Sequence, residues 1–223
     1  MGWTGPRKEG PWTLCAASVG PDTWCMDAEL VTLPPGGEGL WEAVFTVAPL
    51  VVVGTVEEDG SFDLAPKHMV TPLGWSSYYG FVCTPRHRTY GNVVRTGEFT
   101  VSFPLPEQVV AVGQAAAHRH DGEKSSLAAI PTVPALIVDG VHVEGCGLRL
   151  ECELDRMVEG FDQHDLVVGR IIAAAAPRWA LRDPDTDDAE LLNGHPQLAY
   201  LSPSRFGSVA ESYSFPFPAE FTR

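Results

Sequence analysis

No run of this chain is long and apolar enough to cross a membrane as a helix. The longest, residues 48–54, is far short of the roughly 20 residues that a span needs. The first residues, Met1-Gly2-Trp3-Thr4-Gly5-Pro6-Arg7-Lys8-Glu9, lack the apolar stretch of a signal peptide, and Pro6 spoils the myristoylation pattern that Met1-Gly2 would begin. Cysteine is scarce and unpaired in pattern. The five residues Cys15, Cys25, Cys83, Cys146 and Cys152 form no CxxC pair, so neither a disulfide framework nor a zinc knuckle is expected, and the expected setting is a reducing cytoplasm.

Positive charge is also in short supply. Lys and Arg number 15 against 29 Asp and Glu, a net charge of −14, so phosphate backbones and anionic membrane surfaces repel the chain, and no nucleic acid or membrane partner is expected. No Gly-rich nucleotide fingerprint follows an expected strand, which excludes a Rossmann domain; any nicotinamide would have to stack transiently on another group. Internal repeats and low-complexity tracts are absent.

What is present is the composition of a globular β protein. Apolar residues make up 44% of the 223, and 22 Gly with 19 Pro are scattered without a period, which implies many short elements joined by turns. Residues 1–42 show no sustained period of 2 or 3.6 but carry Trp3, Trp12, Trp24 and Trp41, and are expected to be an extension packed on a core domain of residues 43–223. Within that domain, 43–47, 50–56, 61–64, 78–83 and 99–103 read as strands, with Glu57-Glu58-Asp59-Gly60 as a hairpin turn. Residues 136–143, 146–158 and 164–175 read as a meander, 182–190 as an acidic loop and 200–209 as a terminal strand. Helical spacing appears at 89–95, with Thr89 as N-cap and Gly97 as terminator, at 107–117, and briefly at 125–129. The expectation is a mainly β fold: a Greek-key split β-barrel of about six strands with two or three short helices.

Two segments invite chemistry. In Thr84-Pro85-Arg86-His87-Arg88-Thr89-Tyr90-Gly91-Asn92, two of the few cations flank a His just ahead of a helix start. Unpaired N–H groups and forked guanidinium donors there suit one phosphate; the alternative is a solvated turn. In Asp63-Leu64-Ala65-Pro66-Lys67-His68-Met69-Val70-Thr71-Pro72, small residues at a strand end leave backbone polar groups free for a planar ligand; the alternative is an edge-strand crossover. His118-Arg119-His120-Asp121 has metal-ligand residue types, but two His one residue apart share a face only on a strand, and these follow a helix, so no metal is assigned. His164, on its strand, is either a proton donor facing a redox centre or a packed core histidine.

Taken together, residues 49–104 resemble the flavin reductase-like family. The resemblance is carried by Pro49-Leu50-Val51-Val52-Val53-Gly54-Thr55, Leu64-Ala65-Pro66, Thr71-Pro72-Leu73, Pro85-Arg86-His87-Arg88-Thr89-Tyr90-Gly91-Asn92 and Thr96-Gly97-Glu98-Phe99. Farther on, Glu123-Lys124 and Asp162-Gln163-His164-Asp165-Leu166-Val167-Val168-Gly169-Arg170 are similar to the family's later segments, while Asp63 stands where the family often has Asn. The resemblance implies an FMN-binding split barrel that works as a homodimer, with FMN near the subunit interface. It implies phosphate contacts from Arg86, Arg88, Thr89 and Asn92, and ring and ribityl contacts from Ala65, Lys67, His68, Met69 and Ser102, with His164 as the catalytic candidate. The implied activity is an NAD(P)H-fed, FMN-dependent oxidoreductase that passes electrons to free flavin or another acceptor. The alternatives are a non-catalytic flavin-storage or interaction barrel and a pyridoxamine-phosphate-oxidase-like enzyme.

Overall fold

A computed structural model describes residues 39–118 and 124–215. The chain divides into units Met1–Glu38 and Gly39–Arg223, and all of the first lies outside the described residues, so the docking expected of the tryptophan-rich extension concerns residues not described. His118 is described, but the rest of the His118–Asp121 cluster is not.

The central element is β2 (Val51–Val56), preceded by the short helix α1 (Leu40–Ala43) and strand β1 (Thr46–Pro49). Every residue of β2 is buried, because alternate side chains feed two separate cores and both faces of the strand are covered. Val51 and Val53 point into one core with Tyr79, Phe81, Phe99 and Cys152; Val52 points into the other with Leu64 and Leu198. An unbroken Val-Val-Val run is what such a position requires.

From β2 the chain turns through residues 57–61 into β3 (Phe62–Lys67), then forms β4 (Val70–Pro72), β5 (Tyr78–Cys83), α2 (Arg88–Thr96) and β6 (Glu98–Phe103). A 3₁₀ turn at Pro106–Gln108 leads into α3 (Val109–Ala115), and another follows at Ser125–Ala129. Next come β7 (Thr132–Pro134), β8 (Val141–Val143), β9 (Leu148–Phe161) and β10 (His164–Ala175). The chain closes with α4 (Asp188–Gly194), β11 (Gln197–Ser202) and β12 (Arg205–Val209). Seven strands form one antiparallel sheet in the order β3-β2-β6-β9-β10-β5-β4; smaller sheets are β1-β11-β12 and β7-β8. The long β9–β10 ribbon carries three register shifts, and such bulges bend a sheet so that it curls round one core into an open half-barrel. The mainly β split-barrel expectation holds, with seven strands in the main sheet.

Several boundaries differ from the sequence expectation. Residues 43–47 divide into the end of α1 and the start of β1, and 136–143 is a tight loop followed by β8 rather than one strand. Residues 200–209 form the β11–β12 hairpin rather than a single strand, and the acidic stretch 182–190 enters α4, where Asp187 caps the helix by accepting from Ala189 N–H at 2.7 Å. Helix α2 begins one residue early. Its N-cap is His87, which makes no side-chain cap bond, while Thr89 lies inside the first turn with its hydroxyl donating to Asp63 at 3.5 Å. The Trp41 indole, expected to pack, is 64% exposed. Gly97 ends α2 as expected, at φ 72° with its N–H on Val93 O, a conformation that glycine adopts freely.

Candidate functional site

Three pieces of chain meet where β3 and β5 end and β10 begins. The turn after β3 is tied across to β5 by Val82 N–H donating to Met69 O at 2.9 Å. Pairing of Asp165 with Cys83 sets His164 beside the start of the Thr84-Pro85-Arg86-His87 turn. His164 itself follows a two-residue connection in which Asp162 takes φ 56°, a left-handed conformation that Asp tolerates better than most residues. Asp165 then anchors this hairpin end by accepting from Tyr90 Oη at 2.9 Å and from Gly160 N–H at 3.3 Å.

These pieces enclose a cleft of about 150 Å³. Lys67, His68 and Met69 form one wall, His87 and His164 the other, and Cys83 the floor. The Lys67 ammonium donates to Cys83 Sγ at 3.3 Å. Burial pushes the Cys83 thiol above its ordinary range, while the Lys67 charge acts the opposite way, so Cys83 serves Lys67 as a neutral hydrogen-bond acceptor. Desolvation at the cleft wall holds the His87 imidazole below the usual histidine range, and the positive Lys67 and neighbouring His164 push it the same way. His68 is lowered too, by burial and then by Lys67.

Near His87 sits a buried ion pair. Lys124 Nζ lies 3.2 Å from Asp63 Oδ1 and donates to Leu64 O at 2.8 Å, with side-chain exposures of 8% and 5% for Lys124 and Asp63. Asp63 therefore joins β3, the first turn of α2 and the 124–129 turn. Arg86 and Arg88 flank His87 in sequence. In a chain of net charge −14, Lys67 lines this cleft with His68, His87 and His164, and Arg86 is exposed on the adjoining turn, while Lys124 and Arg88 are held by Asp63 and Glu57.

The sequence-derived residues are not all brought to the cleft. Lys67, His68, Met69 and His164 line it, and Ala65 lies just before it on β3. Arg86 is exposed on the adjoining turn; Arg88 is engaged by the buried Glu57 at 3.2 Å. Thr89 and Asn92 face inward: Asn92 Nδ2 donates to Thr55 Oγ1 at 3.1 Å and packs α2 onto β2. Ser102 is elsewhere. Strand β2 lies between β6 and β3, and the Ser102 hydroxyl accepts from Val143 N–H at 3.0 Å and meets His142 Nδ1 at 3.4 Å in the core. Sequence reasoning missed His87, Cys83 and Lys124 as parts of this site. His87 was legible from the motif that holds Arg86 and Arg88. The Lys124–Asp63 pair, 61 residues apart, carries no local signal.

The donor set fits a phosphorylated planar cofactor, with cations for the phosphate and Pro66, Met69 and Val82 for an apolar body. The family model described as "Flavin reductase like domain" matches residues 45–197. An uncharacterized protein of Methanothermobacter thermautotrophicus is 27% identical over 133 residues, which span 56% of this chain and 61% of that relative. Among solved structures, nitrilotriacetate monooxygenase component B from Bacillus cereus superposes with TM-score 0.71 at 18% identity, covering 84% of this chain and all of that one. A flavoredoxin from Methanosarcina acetivorans gives 0.69 at 19%, covering 86% and 97%. An FMN-binding protein from Thermus thermophilus, solved with bound p-hydroxybenzaldehyde, gives 0.65 at 22%, covering 86% and 100%.

Proposed function

Since the chain belongs to the flavin reductase-like domain family, we propose that it is an FMN-dependent oxidoreductase fed by NAD(P)H, with the cationic cleft as its cofactor site. The observation that carries this reading is the concentration of positive and proton-binding side chains around Lys67 and His87 in an otherwise acidic protein. FMN held in this site would supply the redox chemistry between the nicotinamide and a second acceptor.

The chain's own part is to bind, orient and hold protons. Arg86 and Lys67 offer charge-assisted donors to a phosphate, each worth about 1.5–3 kcal/mol, and the first turn of α2 adds backbone N–H groups. Arg88 contributes through the same turn while sharing its charge with Glu57. His164 holds a proton at an imidazole nitrogen on the opposite wall, fixed there by the Asp165 anchor. Pro66 and the half-exposed Met69 offer apolar surface on one side.

A cleft of about 150 Å³ is smaller than the roughly 300–1,000 Å³ of complete small-molecule sites. We infer that a second copy of the chain completes it, giving a C2 homodimer of about 48 kDa, twice the 24.1 kDa chain mass. Light scattering of the flavin-loaded protein is expected to give that mass; a monomer that retains flavin would overturn the assembly. For the reaction, purified protein reconstituted with FMN should lose its visible flavin band on anaerobic addition of NADH or NADPH, and regain it with air. A flavin band unaffected by either nicotinamide would favour a storage role instead.

A further inference from the structure

A second cavity, of about 310 Å³, lies on the other side of the Pro66–His68 segment, and both residues line both cavities. The His68 imidazole stacks on the Tyr200 ring with centroids 4.2 Å apart, so a rigid aromatic pair forms the shared wall. Opposite are Val109 and Val112 of α3 and Ala116 just after it, and the rim carries Arg205 and Phe206 of β12.

Two features of this groove leave room and charge for a ligand. Arg205 is exposed at the rim and, like Arg86, Arg149 and Arg178, makes no ion pair or side-chain hydrogen bond among the described residues, so its guanidinium is available to a ligand in the groove. Gly113 sits inside α3, where glycine weakens a helix, yet no positive φ requires it there, and a Cβ added to it would meet nothing within 4 Å. What its missing side chain leaves open is the groove.

We propose that this groove binds a planar organic carboxylate, its apolar body against α3 and its carboxylate on the Arg205 guanidinium. A single guanidinium matches a carboxylate in two parallel hydrogen bonds. The volume is at the lower end of the range for small-molecule sites, enough for one or two rings and too small for a dinucleotide. The proposal stands apart from the flavin reading, although the shared His68 wall sets the bound acid next to the cationic cleft.

The test is calorimetric titration of the full chain with trans-cinnamate and, separately, with neutral cinnamamide. Wild type is expected to bind cinnamate with a Kd tighter than about 1 mM. Gly113→Leu, which fills the groove and favours the helix, should weaken cinnamate at least tenfold while leaving the far-UV spectrum and the FMN titration unchanged. Arg205→Gln should weaken cinnamate at least fivefold and leave cinnamamide unaffected. Absence of saturable cinnamate binding by wild type would overturn the proposal, even with FMN binding intact. So would loss of FMN binding in Gly113→Leu, because the groove would then belong to the flavin. Cinnamate binding in a protein that fails to bind FMN would leave this proposal standing and sink the proposed function.

Discussion

Replacing Lys124 with Met is expected to destabilise the protein by about 3 kcal/mol, because it removes the cation from a buried pair and leaves the Asp63 carboxylate without that compensation. It also deprives Leu64 O of a 2.8 Å hydrogen bond. The pair ties the β3 hairpin to α2 and to the 124–129 turn, so the damage should reach the cleft lined by His87. Urea denaturation measures the effect. Combining Lys124→Met with Asp63→Asn should recover part of the loss, since the unpaired charge is then gone as well. A single variant within about 0.5 kcal/mol of wild type would show that the pair contributes nothing, as surface pairs often do not.

Gly169→Ala is expected to be at least as damaging. A Cβ at this point of β10 would meet the Phe99 ring, with Cε1 at 2.6 Å, and Cys152 Cβ at 3.0 Å. Both neighbours belong to the core inside the curled sheet, where Phe99 is fixed edge-on against Phe81 with centroids 5.2 Å apart, and neither can withdraw. Overpacking of this kind costs about 3 kcal/mol. Phe99→Leu, which vacates the space, should make the double variant more stable than Gly169→Ala alone. If Gly169→Ala melts at the wild-type temperature, the curled packing of β10 on β6 is wrong.

That glycine shows how the sequence and the fold relate. The Leu166-Val167-Val168-Gly169 string announces a buried strand, and β10 begins and ends where its apolar alternation says. Why Gly169 is needed appears only when Phe99, 70 residues earlier in sequence, is found against it. The hairpin turn at 57–60, strand β5 and the Gly97 terminator were legible because each is governed by local rules of turn residues, alternation and capping. The 136–143 stretch was misread because Leu136 and Ile137 are apolar yet exposed. Their backbone N–H groups donate to the buried Glu151, both at 2.7 Å, with Val138 N–H donating at 3.0 Å, and this distant carboxylate holds a loop where the pattern suggests a strand. Burial alone would raise the Glu151 pKa, but these three bonds and the nearby His142 hold it below the usual carboxylate range.

The candidate site divides along the same line. Arg86-His87-Arg88 could be picked out because cations are rare in this chain, and Lys67-His68-Met69 because it follows the small residues at a strand end that the family resemblance also marks. Ser102 was implied only by the family resemblance; strand β2 separates it from β3, and its hydroxyl meets His142 instead. Thr89 and Asn92 carry the right residue types for a phosphate loop, but Asp63 and Thr55 engage their side chains from the sheet.

The central claim is that the cleft between Lys67 and His87 holds the phosphate end of FMN. A fluorescence titration that compares FMN with riboflavin tests it most directly, because the two differ only in that phosphate. The account predicts that wild type binds FMN at least tenfold more tightly than riboflavin, and that Arg86→Ala/Arg88→Ala removes most of this difference while leaving riboflavin affinity unchanged. Equal affinity of wild type for the two flavins, or an unaltered FMN affinity in the double variant, would contradict it.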